Sequence, residues 1–361
     1  MEDKFSYKDF LHSLGIEAVI TDDNKIKTYT NLEDELRSLS DGVGLRNISH
    51  YGMIELRGKD VLDFLHRIST NSVRDLAKEK ITKTIFTTEK GRIIDLTVLM
   101  NFEDYQILFC HPEHHPKIFK WLTKYIINDD VKISDINGKY SLLEIIGPQA
   151  DSFVTLVCGT IVNNIPENSF KVISAEGMLF FLAKMRDIKN NIKYWVIADH
   201  VNSSRFVKYS VEHKEIFDFN LVGEEAYNIY RVEQGILTAP NEINDNYNPN
   251  EAGLRDYIDF NKGCYIGQEV IARLDTYDKV QRGIKGFVFE GPAEQKEYSL
   301  YNGDQNESGK VTSVVYSPKC GKNIGLGYLK KSYLTDGSVL TAKDPDGNEI
   351  KVSVHKIPFR K

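Results

Sequence analysis

Cysteine is scarce in this chain of 361 residues, and the four present, at positions 110, 158, 264 and 320, form neither a Cys-x-x-Cys pair nor a disulfide framework. That spacing argues against a built-in zinc or iron–sulfur site and suits free thiols in a reducing compartment. Long apolar runs are missing as well. No stretch approaches the ~18 apolar residues of a membrane span, and the start, MEDKFSYKDFLHSLG, has neither the basic head nor the apolar core of a signal peptide. A cytoplasmic protein with no membrane partner is expected. Basic runs interleaved with aromatics are also absent: 46 Lys and Arg stand against 52 Asp and Glu, a formal charge of −6, so no nucleic-acid partner is expected. No Gly-x-Gly-x-x-Gly follows a strand, which disfavours a nicotinamide or flavin unit. Internal repeats and low-complexity segments are lacking too.

What is present is a chain long enough for two or three domains, with mixed signals in its first three quarters. Asn31 is placed to cap a helix over LEDELRSLSD, and the strand-like YGMIELRG leads to KDVLDFLHRIST, whose Val61, Leu62, Phe64, Leu65 and Ile68 suit one helix face. From 83 to 110 come three strands joined by turns at Glu89-Lys90-Gly91 and Glu103-Asp104, then a helix over about 113–128. A second βα pattern, YSLLEIIG followed by PQADSFVTLV, precedes three more strands and a helix near 202–213. Beyond Gly283 the texture changes to short strands punctuated by NGD, DG and DPDG, which predicts a small all-β barrel or sandwich.

The run FNKGCYIGQEVIARLD is the most unusual stretch. Gly263 and Gly267 free the backbone on either side of Cys264, and a helix expected over GQEVIARLD would turn its positive end toward the thiol. Lys262 adds a charge nearby, so Cys264 is the candidate reactive thiolate among the four cysteines. Tyr265 completes the motif, while Gln268 and Glu269 suit helix capping as well as function. In EKGRIIDLTVLM, period-two alternation sets Ile94, Leu96, Val98 and Met100 on one face and Asp95 with Thr97 on the other. Asp95 is then either a site carboxylate or an exposed one on the solvent side of a sheet. CHPEHHP offers Cys110, His111, His114 and His115, but its spacing matches no closed ligand set, and Pro112 suits a helix first turn that His111 would cap. No metal site is expected.

The segments GLRNISHYGMIELRGKDVLDFLHRISTN, EKGRIID, YRVEQGI, NEAGL, NKGCYIGQEVIAR and GKVTSVVYSP...IGLGYLKK resemble, in this order, the folate-dependent GcvT superfamily, and Lys262 to Glu269 resembles the hallmark of its YgfZ branch. The resemblance implies an α+β, three-lobed GcvT/YgfZ-like fold with antiparallel and mixed sheets around a folate-sized hole, ending in a β-barrel. The lobes would span 1–138, 139–282, which carries the KGCYIGQE motif, and 283–361. It further implies tetrahydrofolate or a one-carbon derivative as cofactor. The role implied is support of iron–sulfur cluster assembly or repair through Cys264, with iron–sulfur enzymes or cluster carriers as partners. A glycine-cleavage aminomethyltransferase and a non-catalytic folate-binding adaptor are the alternatives. By the same resemblance Asp95 would face the pterin and aid transfer. Trp195 stands where aminomethyltransferases carry an acidic pterin anchor, so an indole would stack where a carboxylate accepted hydrogen bonds. Arg231 and Glu233 in YRVEQGI would serve the folate tail or form structural ion pairs.

Overall fold

The computed structural model describes residues 7–21, 25–186, 191–214, 216–276 and 280–359. Its strands form a six-stranded sheet, a five-stranded sheet, a closed six-stranded barrel and a small two-stranded ribbon. The chain therefore folds as α+β with a C-terminal β-barrel. Closure of the barrel, in which Arg282–Phe289 pairs with both Lys322–Lys330 and Glu349–His355, leaves that lobe without a free edge. Its interior is a separate apolar cluster that includes Phe287, Leu300, Val311, Leu340 and Val352.

The five-stranded sheet is built from the meander Ile81–Thr87, Ile93–Asn101 and Gln106–Cys110, joined at its side by Gly52–Arg57 and Lys132–Asp135. The turn glycine Gly91 takes φ +67°, which a side chain would strain. Helices Val61–Ile68 and His115–Tyr125 cover one face through Phe64, Leu65, Ile118 and Leu122. The other face is covered by the neighbouring lobes, through Met53, Met100 and Phe109 against Leu142 and Trp195. Neither face of this sheet meets water along its centre.

The six-stranded sheet runs in the order Ser169–Ala175, Met178–Arg186, Ile192–Ala198, Ser141–Ile146, Val43–Asn47, Phe219–Leu221. Val43–Asn47 thus belongs to the sheet of the second lobe, paired antiparallel with Ser141–Ile146 and parallel with Phe219–Leu221. The lobes are consequently not the contiguous blocks 1–138 and 139–282: the chain starts in one sheet, builds the other and returns. Asn31 caps helix Leu32–Ser40 as its residue type dictates, its Oδ1 accepting from Asp34 N at 2.9 Å. That helix packs on Glu224–Gln234, which bridges to the barrel through Ile229 and Val232 against Ile324 and Leu326.

Candidate active site

Two cavities open where the lobes meet. The larger, of about 840 Å³, is walled by Arg46, His50 and Tyr51 from strand Val43–Asn47 and the loop after it, by His111 from the meander, and by Asn228 and Val315 from the bridging helix and the barrel. The smaller, of about 550 Å³, takes in Leu96, Glu144, Lys193, Tyr230 and Tyr257. Tyr227 lines both, so its ring stands at their junction. Arg46 stacks its guanidinium on that ring, 3.1 Å from the centroid.

Asp95 lies behind the wall of the larger cavity and is 0% exposed, contrary to a solvent-facing carboxylate. The cause is cover: Asp95 shares the face of Leu99, which lies beneath the helices, and a bulge at Ile94, with Phe86 pairing Asp95 and Thr87 pairing Ile93, turns Ile94 to the same side. Ile94 and Leu99 therefore pack beneath the helices, while Leu96 and Val98 face the other lobes. One Asp95 oxygen meets His111 Nδ1 at 2.7 Å and His114 Nδ1 at 3.3 Å and accepts from Leu96 N at 2.9 Å; the other accepts from His111 N at 2.9 Å. Burial raises the carboxyl, but the charge of His111 and its hydrogen bonds outweigh burial and hold Asp95 below its ordinary value. Burial likewise lowers the His111 imidazole, and Asp95 more than reverses that, leaving it raised. Asp95 lines neither cavity, so it reaches a ligand only through His111. His111 caps no helix with its side chain, and among the described residues no group of three or more His, Cys, Asp or Glu could hold a metal ion.

Trp195 does not stand open to a planar ligand. It is buried against Phe109 and Met53, and its indole N–H donates to Glu144 Oε1 at 3.2 Å. Glu144 sits opposite it across the sheet, so a carboxylate is present beside this position on the neighbouring strand. Burial raises Glu144, but Lys193 at 2.6 Å and Arg46 at 2.7 Å bring it down to about 2. Sequence reasoning missed it, although the signal existed: one charged residue in the otherwise uncharged SLLEII, every residue of which is buried.

Arg231 lines the larger cavity, but its guanidinium is committed to Glu242, Ser313 and Asn228 at 2.8–3.2 Å. Glu233 lines neither cavity and accepts from Ser317 Oγ. These two residues tie the bridging helix to the barrel and the 238–242 turn, and all three Arg231 guanidinium nitrogens are already engaged by protein acceptors.

The KGCYIGQE motif lies outside both cavities. Cys264 is exposed, whereas burial raises the thiols of Cys110 and of Cys158, the latter to about 12. Lys262 is not directed at the thiol. Its ammonium donates to the carbonyls of His66, Ser69 and Asn71 at 2.5–2.7 Å, at the C-terminal end of helix Val61–Ile68, and burial lowers it to about 8. Gly263 has open space around it, but Gly267 takes φ +84° and a Cβ there would stand 2.6 Å from Thr88 O. Close approach to the Glu89–Gly91 turn explains that glycine. The helix begins only at Gln268, four positions after Cys264, with Glu269 in its first turn and Gln268 Nε2 reaching back to Lys262 O and Gly263 O at 3.5 Å. Tyr265 is buried in the cluster around Tyr247 and Tyr328. The motif thus fastens the loop before this helix against the meander lobe.

Comparisons with known proteins agree with this architecture. Over 354 residues the chain is 27% identical to a chloroplastic protein of Arabidopsis thaliana described only as a transferase, covering 97% of this chain and 79% of that one. It is 26% identical over 345 residues to the aminomethyltransferase of Thermotoga maritima, covering 92% and 90%. The crystal structure of the glycine cleavage system aminomethyltransferase T from Bartonella henselae has the same fold, with a TM-score of 0.81 at 18% identity, covering 98% and 97%. The GCVT N-terminal domain matches residues 24–262 and the glycine cleavage T-protein C-terminal barrel domain matches residues 282–361, so the chain belongs to the glycine cleavage T-protein family.

Proposed function

We propose that this protein is a folate-dependent one-carbon transferase of the aminomethyltransferase type, with reduced folate in the cavities joined at Tyr227. The observation that carries the reading is the ionised, fully buried Asp95 tied to a histidine on the cavity wall, where all three lobes meet. Structural packing does not require a buried carboxylate there, and desolvating one is costly unless its partners repay it. The wall also fits a flat heterocycle. Tyr51, Tyr227 and Tyr230 supply aromatic surface, and Arg46 Nε is a buried donor with no partner among the described residues. The names of the relatives favour this reading over iron–sulfur maturation.

Calorimetric titration with tetrahydrofolate, run beside an assay for methylenetetrahydrofolate release from an aminomethylated lipoyl carrier, tests it. Binding with turnover is expected; absence of both would overturn the reading. A second reading, support of iron–sulfur enzymes, rests on the exposed thiol of Cys264 alone. Equal support of those enzymes by Cys264→Ser and wild type, in cells lacking the native protein, would remove it.

A further inference from the structure

We infer that His111 presents its Nε2 to the larger cavity as the acid–base group of the site, with Asp95 as its positioning residue. The inference rests on the folate-transfer reading above and names the group that would handle the proton.

Asp95 grips His111 twice, through the ring Nδ1 and through the backbone N–H, so the ring can neither rotate away nor shift its anchored nitrogen. Pro112 restricts the preceding backbone to extended conformations, and His111 sits at φ −61°, ψ 142°, which keeps that N–H aimed at the carboxylate. With Nδ1–H donated to an ionised carboxylate, Nε2 is the nitrogen left over. It has no hydrogen-bond partner among the described residues, and the ring lines the cavity. An aspartate that fixes the tautomer while the far nitrogen faces a ligand is the working arrangement of a general acid–base histidine.

The groups around the ring set its charge. Asp95 on Ile93–Asn101 and Glu113 on the following turn favour the imidazolium, while Lys193 on Ile192–Ala198 opposes it. His114 shares the same Asp95 oxygen, and the Tyr51 ring packs 5.6 Å away, limiting access of water. His50, the other imidazole on this wall, is lowered by burial and so carries a proton to give less often than His111. In the transfer, the Nε2–H bond of the imidazolium breaks and its electron pair stays on the ring. The proton joins the lone pair of the amine that leaves the carbon, and Nδ1–H stays on Asp95. The neutral ring then takes up the proton that one folate amine loses on forming its bond to the carbon, which restores the imidazolium; as the second folate amine bonds the carbon, the carrier sulfur leaves as a thiolate and takes the proton that amine loses.

The test uses full-length protein labelled with ¹⁵N-histidine, titrated with tetrahydrofolate while heat and imidazole resonances are followed. The His111 Nε2 resonance is expected to move on binding, and Asp95→Asn to lower the pH at which it titrates. His111→Gln should bind tetrahydrofolate within about threefold of wild type yet lose roughly 100-fold or more of single-turnover transfer, with a flattened pH profile. His111→Asn provides a second variant if the first folds poorly. Binding with an unmoved Nε2 resonance, or transfer by His111→Gln at the wild-type rate, overturns the histidine assignment and leaves the folate reading intact. Failure of the wild-type protein to bind tetrahydrofolate overturns the folate reading itself, and this inference with it.

Discussion

Replacing Lys262 by methionine keeps the length of the side chain and removes its charge, which separates the two roles open to this residue. In the structure its ammonium closes the end of helix Val61–Ile68 by donating to three carbonyls, His66 O, Ser69 O and Asn71 O, from a loop nearly 200 positions away in the chain. A helix C-terminus attracts a cation, and here the cation also docks the Cys264 loop onto the meander lobe. Because water reaches part of the site, we take the low end of the cost of an unsatisfied carbonyl, about 1 kcal/mol each and so about 3 kcal/mol in all. Urea unfolding followed by Trp121 fluorescence in a Trp195→Phe background reads this directly, since Trp121 packs in the cluster beneath the same helix. The midpoint should fall by about 1 M or more. The reaction rate of Cys264 with a disulfide reagent, measured well below that midpoint, should stay within about twofold of wild type. An unchanged midpoint together with a tenfold slower thiol would refute the clamp and return Lys262 to the role of thiolate activator, on the order-of-magnitude effect of a neighbouring cation.

Two further outcomes are expected. His111 stands above its ordinary 6.5, so its contribution to stability is full below that value and is lost as pH rises through the folded one; Asp95 stands below 3.8, so its contribution is full above 3.8 and is lost as pH falls through the folded value. The pair stabilises most between the two, and Asp95→Asn should lower the melting temperature there while flattening its fall below pH 3.8 and above pH 6.5, whereas an unchanged pH profile would contradict the pairing. Glu144→Gln strips the carboxylate from Arg46 and Lys193 and should cost about 3–5 kcal/mol in denaturant unfolding, as for a broken buried ion pair, with a loss below about 1 kcal/mol counting against it.

The barrel was legible because closely spaced turn residues and the lack of helical period constrain a chain locally, and local signals survive in a sequence. The same is true of the Asn31 cap. Asp95 was readable as a candidate on the face opposite Leu96 and Val98 but not as a buried one, since the cover over that face comes from helices Val61–Ile68 and His115–Tyr125, which only tertiary packing places there. His111 was set aside because its run fits no metal-binding spacing; its partner lies 16 positions earlier on an adjacent strand, and only strand pairing brings them together. Lys262 and Arg231 were drawn toward chemistry by their neighbours in the chain, whereas the contacts that fix them include residues distant in sequence, the carbonyls near 66–71 for Lys262 and Ser313 of the barrel for Arg231. Val43–Asn47 escaped assignment to its sheet for the same reason.

Charges at the lobe junction are largely spent on one another. Glu242 takes Arg231 and the hydroxyls of Thr312 and Ser313, Glu144 takes Arg46 and Lys193, and Asp95 takes His111 and His114. Each carboxylate is almost wholly buried, so each repays its desolvation only when its partners are in place. For Glu242 the two hydroxyl partners, Thr312 and Ser313, come from the barrel, and its site is complete only once the barrel has docked. A ligand entering the larger cavity therefore meets a wall whose strong ion pairs are already closed. On that wall His111 Nε2, held in place by Asp95, has no partner among the described residues, and the Tyr227 ring carries the stacked Arg46 guanidinium beside it. Recognition at such a wall depends on directed hydrogen bonds and on ring stacking at Tyr227 more than on net charge, which favours a flat, polar-edged heterocycle over a simple anion.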